Sequence, residues 1–372
     1  MKLNIAVLAG DGIGPEVTVQ SIKVLKAIAV EFDHTFLFKS ADVGAIAIDK
    51  HNNPLPDETL KLCKSSDAIL FGAIGDPKYD NNPSAKIRPE QGLLKLRKEL
   101  GLYTNIRPVK AYDTLLDKSP LKRNIIEGTD ISIYRELTGG IYFGKKALSK
   151  DGNIASDLCE YSRIEIERIA HLAFKAAQAR NKKVTLVDKA NVLETSRLWR
   201  KVVTEMAPDY PDVTLDFLFV DNAAMQLILN PKQFDVILTE NLFGDVISDE
   251  ASVIGGSIGL LASASVGDRY AMFEPIHGSY PQATGKGIAN PIASILSAAM
   301  LLEHFELFDE AELIKKAVDK SLKLEISTPD INTTYDTIST NKVGDFIADF
   351  ISNPTDSNIN FNNIHLGQST II

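Results

Sequence analysis

Short apolar runs and longer amphipathic stretches alternate along almost the whole chain. Residues 3–9 (LNIAVLA), 67–73 (DAILFGA), 131–135, 184–188 (VTLVD), 215–220 and 234–239 (FDVILT) have the length and composition of strands. Residues 15–30, 91–100, 163–180, 195–206 and 291–305 carry apolar positions at helical spacing. Strands alternating with helices predict an α/β fold with parallel pairing. Over residues 136–162 glycines and short apolar runs replace helical period, and a hairpin or arm is expected there, a candidate for exchange between subunits. Residues 352–372 are rich in Asn and Ser and read as a loosely held tail.

A chain of 372 residues exceeds the usual limit of one hydrophobic core, so two domains are expected. A hydrophobic share of 44% and a charged share of 24% are ordinary for a globular protein. The net charge of −9 argues against a nucleic-acid binder. It also makes local arginine clusters more notable. Cys63 and Cys159 lie far apart without metal-ligand spacing and read as ordinary thiols. No run approaches the roughly eighteen apolar residues of a membrane span. The start MKLNIAVLAGDG has no secretory layout, and a cytoplasmic protein without a membrane partner is expected.

Asp245 and Asp249, in TENLFGDVISDEAS, follow the strand-like run FDVILT. At i and i+4 they share a helix face, and two carboxylates on one face suit Mg²⁺ or Mn²⁺. Acidic residues in a first helical turn also complement the helix dipole. Asp221, in FVDNAAM, is another aspartate directly after a strand, and ligands gather at strand ends in open α/β sheets. Lys189, in VDKANVL, follows a buried strand; desolvation there would lower its pKa and make it a general base.

Arg88, Arg97 and Arg107 fall within residues 86–108, with Leu93 and Leu94 on the intervening helix, and Arg135 follows in YRELTGG. Arginine forks match carboxylates, so Arg97, Arg107 and Arg135 suggest a small polyanionic ligand; surface ion pairing is the plainer alternative. GDGIGPE at residues 10–16 joins a strand to a helix, but its glycines do not fit the dinucleotide fingerprint, whose third glycine comes one residue later. A glycine-rich turn near a ligand is expected instead. FEPIHGSYPQATGKGIANP, residues 273–291, has the composition of a binding loop and carries Glu274, His277, Gly278, Ser279, Gln282 and Asn290.

RPEQGLLKLR, RELTGGIYFG, VDKANVL, FVDNAAM, NLFGDVISD and HGS…GKGIANP occur in this order. With these motifs the chain resembles the β-decarboxylating isocitrate/isopropylmalate dehydrogenases from GDGIGPE to about residue 351. The resemblance implies a two-domain, non-Rossmann α/β fold: residues 1–102 with 256–372 carrying the cofactor loop, and 103–255 carrying the arm, the dimer interface and the metal aspartates. It implies a homodimer with shared active sites. It also implies NAD-dependent oxidative decarboxylation of 3-isopropylmalate to 2-oxo-4-methylpentanoate and CO₂, in leucine biosynthesis, with Mg²⁺ or Mn²⁺.

On this resemblance Arg97, Arg107 and Arg135 hold substrate carboxylates, and Asp221, Asp245 and Asp249 bind the metal. Asp221, a substrate contact as well, and Lys189 come from the partner subunit. Lys189 helps remove the hydroxyl proton, and Tyr142 protonates the enol, provided a neighbouring cation depresses its pKa. Leu93 and Leu94 stand where isocitrate-specific relatives use a serine, which favours an isopropyl group. Glu274, His277, Gly278, Ser279, Gln282 and Asn290 serve the cofactor. Gln282 departs from the aspartate usual in NAD-using relatives, and Ala262 from a common proline. Another 2-hydroxy acid, a Mg²⁺-dependent phosphatase and a regulatory subunit without chemistry are the rival readings.

Overall fold

The structure, a computed structural model, describes residues 1–80, 86–332 and 338–353; the expected Asn-rich tail lies, after its first two residues, outside them. The chain divides into two compact units: Met1–Leu100, Ser257–Ala264 and Tyr270–Ile372 form unit 1, and Gly101–Gly256 with Ser265–Arg269 form unit 2. In chain order unit 1 opens with β1 (Lys2–Gly10), α1 (Gly14–Glu31), β2 (Thr35–Ser40), α2 (Ala45–His51), α3 (Asp57–Lys64), β3 (Ala68–Ala73), α4 (Pro77–Asp80) and α5 (Pro89–Leu100). Unit 2 supplies β4 (Thr104–Lys110), α6 (Arg123–Ile126), β5 (Asp130–Glu136), β6 (Lys146–Leu148), β7 (Ala155–Asp157) and α7 (Arg163–Gln178). It continues with β8 (Lys183–Asp188), α8 (Glu194–Met206), β9 (Thr214–Phe219), α9 (Val220–Leu229), β10 (Val236–Thr239) and α10 (Asn241–Ser252). After β11 (Ala262–Val266) come β12 (Ala271–Pro275), α11 (Ile292–His304), α12 (Phe308–Lys323) and α13 (Thr340–Ser352).

In unit 1 the strands run β2-β1-β3-β12-β11, with β1 parallel to β2 and β3, and β3 parallel to β12. β3 (AILFGA) is buried along its whole length, as expected of a strand covered on both faces. α11 is likewise buried on nearly every side, so it lies inside the unit. α1 buries Val17, Ser21, Val24, Leu25 and Ile28 at helical spacing, and Ser21 Oγ meets Ser294 Oγ at 2.6 Å.

In unit 2 the order is β4-β5-β10-β8-β9; β4 pairs antiparallel with β5, and the other pairs are parallel. One face is filled by aromatics: Phe174 stacks on Tyr210 at 4.5 Å, and Tyr161 meets Trp199 edge-on at 5.4 Å. α7 starts with a capping box, Ser162 and Glu165 satisfying each other's backbone N–H. The other face takes one side of α9 (Ala223, Leu227) and of α10 (Ile247, Ala251). Both helices keep a second apolar stripe exposed: Met225, Ile228 and Leu229 on α9, Leu242 and Val246 on α10.

All six expected strands and all five expected helices form, with ends shifted by a few residues. The 136–162 stretch contains an antiparallel hairpin of β6 and β7, with exposed strands. Among the elements that form beyond those expectations are β2, β4, β11, β12, α2, α3, α12 and α13. β4 (TNIRPVK) carries an arginine and a proline that break a strand-like apolar run.

Candidate active site

Within unit 2 the sequence-selected residues form two groups. The first centres on α10. Asn241, Asp245 and Asp249 recur every four residues and so share a helix face. Two strands deliver arginines to that face: β4 through Arg107, and β5 through Arg135, which is only 6% exposed. Arg135 Nη1 makes a short ion pair with Asp245, while its Nε and Nη2 donate to Asn241 Oδ1 at 3.2 and 2.9 Å. Arg107 Nη1 donates to Asp249 Oδ1 at 2.8 Å and to Ser248 Oγ at 2.6 Å; its Nε donates to Asn105 Oδ1 at 2.8 Å. Gly244 makes the close approach feasible, because a Cβ there would stand 2.6 Å from Arg135 Cγ.

Tyr142 completes the group. Its hydroxyl donates to Asp245 Oδ2 at 2.8 Å, and Arg135 lies 5.9 Å from its ring centre. Burial first, then the Asp245 hydrogen bond and charge, raise the phenol above its ordinary pKa; Arg135 opposes this without reversing it. Within one chain Arg135 alone does not meet the condition set for Tyr142, a pKa depressed by a neighbouring cation. The nearest carboxylate outweighs the arginine, and the phenol is held as a proton donor.

Asn241 was not singled out from sequence. Its side chain holds Arg135 and donates to Gly139 O at 3.1 Å, while its backbone N–H donates to Tyr161 Oη at 2.9 Å. The turn leading to Tyr142 is also held by buried Glu136, which accepts from Thr138 N at 2.9 Å and Gly139 N at 2.7 Å. The signal was present in the four-residue recurrence Asn241-Asp245-Asp249, of which only the acidic members drew notice.

Lys189 and Asp221 form the second group, with Nζ donating to Oδ1 at 2.7 Å. This ion pair, led by its hydrogen bond, lowers the Asp221 carboxyl below its ordinary pKa. Lys189 follows β8 as expected, but it has a carboxylate partner rather than an apolar, desolvating pocket. Among the described residues of one chain no three His, Cys, Asp or Glu side chains gather as a metal site, so Asp221 does not join Asp245 and Asp249 within the chain. Asp245, half-buried, and Asp249, exposed, by themselves offer an all-oxygen donor pair on one helix face. That chemistry fits a hard divalent cation such as Mg²⁺ or Mn²⁺ and leaves room for further ligands.

In unit 1, Leu93 and Arg97 are half-buried four residues apart on α5, above buried Leu96 and Leu100. Arg97 Nη2 donates to Glu274 Oε1 at 2.8 Å, and its Nε is buried without a partner among the described residues. Glu274 is the last residue but one of β12, and the loop beyond the strand carries the other cofactor candidates. His277 Nδ1 meets Gly278 O at 3.0 Å; its Nε2 is buried and unpartnered among the described residues, and burial lowers the imidazole pKa. Ser279 is buried, Gln282 is exposed, and Tyr280 between them adopts a left-handed φ of 39°. Asn290 donates to Asp330 Oδ2 at 3.0 Å and accepts from Ile292 N at 3.0 Å, so its amide is committed at both ends within the unit. A buried ring nitrogen without a partner, beside glycine backbone open at Gly278, Gly285 and Gly287, fits a flat, polar cofactor approaching along the loop.

Three comparisons bear on this constellation. The description "Isocitrate/isopropylmalate dehydrogenase" covers a family that matches residues 4–347. The chain is 54% identical over 352 residues to a 3-isopropylmalate dehydrogenase of Bacteroides fragilis, covering 94% of this chain and 99% of the relative. It is 53% identical over 334 residues to a 3-isopropylmalate dehydrogenase of Aquifex aeolicus, covering 89% and 92% of the two chains. Among solved structures, it is similar to an isocitrate dehydrogenase from Methylococcus capsulatus, with a TM-score of 0.83 and 34% identity over 94% of this chain and 99% of that one. A β-decarboxylating dehydrogenase from Thermococcus kodakarensis gives a TM-score of 0.78 at 38% identity, over 94% and 96% of the chains.

Proposed function

The chain belongs to the isocitrate/isopropylmalate dehydrogenase family, and we propose that it oxidises and decarboxylates 3-isopropylmalate to 2-oxo-4-methylpentanoate and CO₂ in leucine biosynthesis. The observation that carries this reading is the face of α10, where Arg107, Arg135, Tyr142, Asp245 and Asp249 hold one another. The arginines and aspartates there balance in charge. A substrate with two carboxylates, arriving with a divalent cation, exchanges partners with them at no net change of charge, which limits the desolvation cost of binding.

Asp245 and Asp249, with Asp221 contributed by a second copy of the chain, would hold Mg²⁺ or Mn²⁺, which when bound acidifies a hydroxyl and draws charge from a carbonyl oxygen. NAD⁺, taken up along the loop from Glu274 to Asn290 by His277, Ser279 and Gln282, supplies the hydride acceptor. Arg107 and Arg135 grip the substrate carboxylates in bidentate fashion and fix the bond to be broken. Arg97, its fork oriented by Glu274, adds a further cationic contact. Lys189, once Asp221 turns to the metal and the ammonium has given up a proton, helps remove the proton from the substrate hydroxyl. Tyr142 keeps its proton near neutrality and delivers it to the carbon that loses the carboxylate. Leu93, one turn before Arg97, packs on the isopropyl group.

Two observations within one chain support the second copy. Lys189 and Asp221 stand as a pair outside the α10 group, and Asp221 lies in the first turn of α9, whose apolar stripe, like that of α10, is exposed. We assign those stripes, with the β6–β7 hairpin, to a homodimer interface, in a cytoplasmic enzyme.

The test is NADH formation by purified protein with Mg²⁺ and 3-isopropylmalate, run beside isocitrate, malate and tartrate, each with NAD⁺ and NADP⁺. Activity with 3-isopropylmalate and NAD⁺, abolished by a chelator and by Lys189→Ala, is expected. Turnover of only another acid would overturn the role of Leu93 while keeping the chemistry. Folded, dimeric protein that reduces cofactor with none of these acids would overturn the reading itself.

A further inference from the structure

The GDGIGPE turn has no task in the chemistry above, yet from Gly12 to Glu16 its contacts within unit 1 reach one loop. Between the end of β1 at Gly10 and the start of α1 at Gly14, Ile13 N donates to Ser279 O at 2.8 Å. A Cβ on Gly12 would stand 2.0 Å from that same carbonyl oxygen, so glycine is what lets the two backbones lie this close. Glu16, in the first turn of α1, reaches the far end of the same loop. Its Oε1 accepts from Gly285 N in a short bond, and its Oε2 accepts from Gly287 N at 3.1 Å. Thr340 N, at the start of α13, donates to Gly287 O at 2.8 Å.

Gly285 and Gly287 both have positive φ, and the space where a Cβ would stand is empty for 4 Å around each. Neither is restrained by side-chain packing of its own, and glycine backbone costs the most entropy to order. The Glu16 carboxylate is therefore the main charged restraint on that part of the loop. We propose that Glu16 is a positioning residue for the nicotinamide cofactor: it clamps two glycine N–H groups and keeps the Glu274–Asn290 loop in the shape that receives the dinucleotide. The proposal rests on reading that loop as the cofactor site. A loop ordered in advance spares the ligand the cost of ordering it, so Glu16 acts on cofactor affinity and leaves the chemical step alone.

Glu16→Ala and the near-isosteric Glu16→Gln test this. Hydrogen exchange of the amides in residues 283–289 of the free protein reads the clamp; NADH fluorescence titration and the separate KM values for NAD⁺ and 3-isopropylmalate read its consequence. Glu16→Ala should speed exchange and weaken NADH binding and KM for NAD⁺ by about tenfold, the scale of one charge-assisted hydrogen bond. The kcat and the KM for 3-isopropylmalate should stay within about twofold, a split that general loss of structure would not give. Glu16→Gln, which keeps one acceptor oxygen, should fall between. Unchanged exchange in both variants would overturn the clamp. Faster exchange with unchanged NADH affinity would overturn the positioning role. Failure of the unaltered protein to bind NADH would remove the cofactor reading, and the proposal with it, whatever the exchange showed.

Discussion

Unit 2 and unit 1 each gather candidate residues where strands give way to other structure, but they hold them by opposite means. On α10 of unit 2 the functional groups are charged side chains, and what holds them is one another: Arg135 on Asp245 and Asn241, Arg107 on Asp249, Tyr142 on Asp245. In unit 1 the candidate surface is a loop, and what holds it comes from elsewhere in that unit: Ile13 N, Glu16 and Thr340. The turn that sends out Ile13 and Glu16 is itself fixed by buried Asp11, which accepts from Ala45 N, Ile46 N and Gly75 N at 2.8 to 3.0 Å. Charged groups in a confined space are stable only with counter-charges, so a charged site supplies its own scaffold. Backbone N–H groups and glycines have no such partners and must be braced from outside.

The comparison breaks first, if it breaks, at Lys189 and Tyr142. Lys189→Ala and Tyr142→Phe should lower kcat by about 10²–10⁴-fold, the range of general acid–base catalysis, whereas no change in the unit 1 loop should do so. A mixture of Lys189→Ala with Asp245→Asn, unfolded and refolded together, should regain activity, because a hybrid dimer restores one intact shared site. Activity that stays absent in hybrids isolated as folded dimers would place both residues in one chain's site.

A pH experiment tests whether unit 2 carries an internal electrostatic cost. Glu240, next to Asn241, is buried with its carboxylate on Ser196 Oγ; burial, with a smaller contribution from Asp188, raises its pKa from 4.5 to about 7. Below pH 4.5 the group is protonated in folded and unfolded chains alike and costs nothing. Between there and about pH 7 the folded chain keeps a proton that the unfolded chain has released, so its contribution to stability falls as pH rises through that window. At about 1.4 kcal/mol per unit the cost above pH 7 is about 3 kcal/mol. Glu240→Gln should therefore raise Tm at pH 8 and gain nothing near pH 4, measured by thermal unfolding at both. An equal gain at both would assign the effect to packing.

Smaller effects belong to unit 1. Leu93→Ser should weaken 3-isopropylmalate by roughly 1–3 kcal/mol in kcat/KM while leaving malate nearly unchanged. Equal losses for both acids would mean that residue 93 supports α5 rather than the substrate. Gln282→Asp should reduce any use of NADP⁺, since a carboxylate repels a 2′-phosphate where an amide does not, by about 1 kcal/mol at an exposed position. An unchanged NADP⁺ to NAD⁺ ratio would remove Gln282 from cofactor selection.

Much of this was legible in the sequence because it depends on local pattern. The strands at β1, β3, β5, β8, β9 and β10 stand out as apolar runs, and Asp245 and Asp249 share a face because helical geometry puts i and i+4 together. The placement of Asp221 and Lys189 after strands followed from the same arithmetic. Other features depended on residues distant in the chain. What raises the Tyr142 phenol is burial first and then Asp245, 103 residues away, which accepts from its hydroxyl directly. Lys189 gained an ion-pair partner 32 residues on rather than an apolar pocket. Glu16 was a routine first-turn acid until folding set Gly285 and Gly287 against it, some 270 residues later. Sequence periodicity fixes which side chains share a face; the partner across that face, which decides charge state and restraint, exists only once the chain has folded.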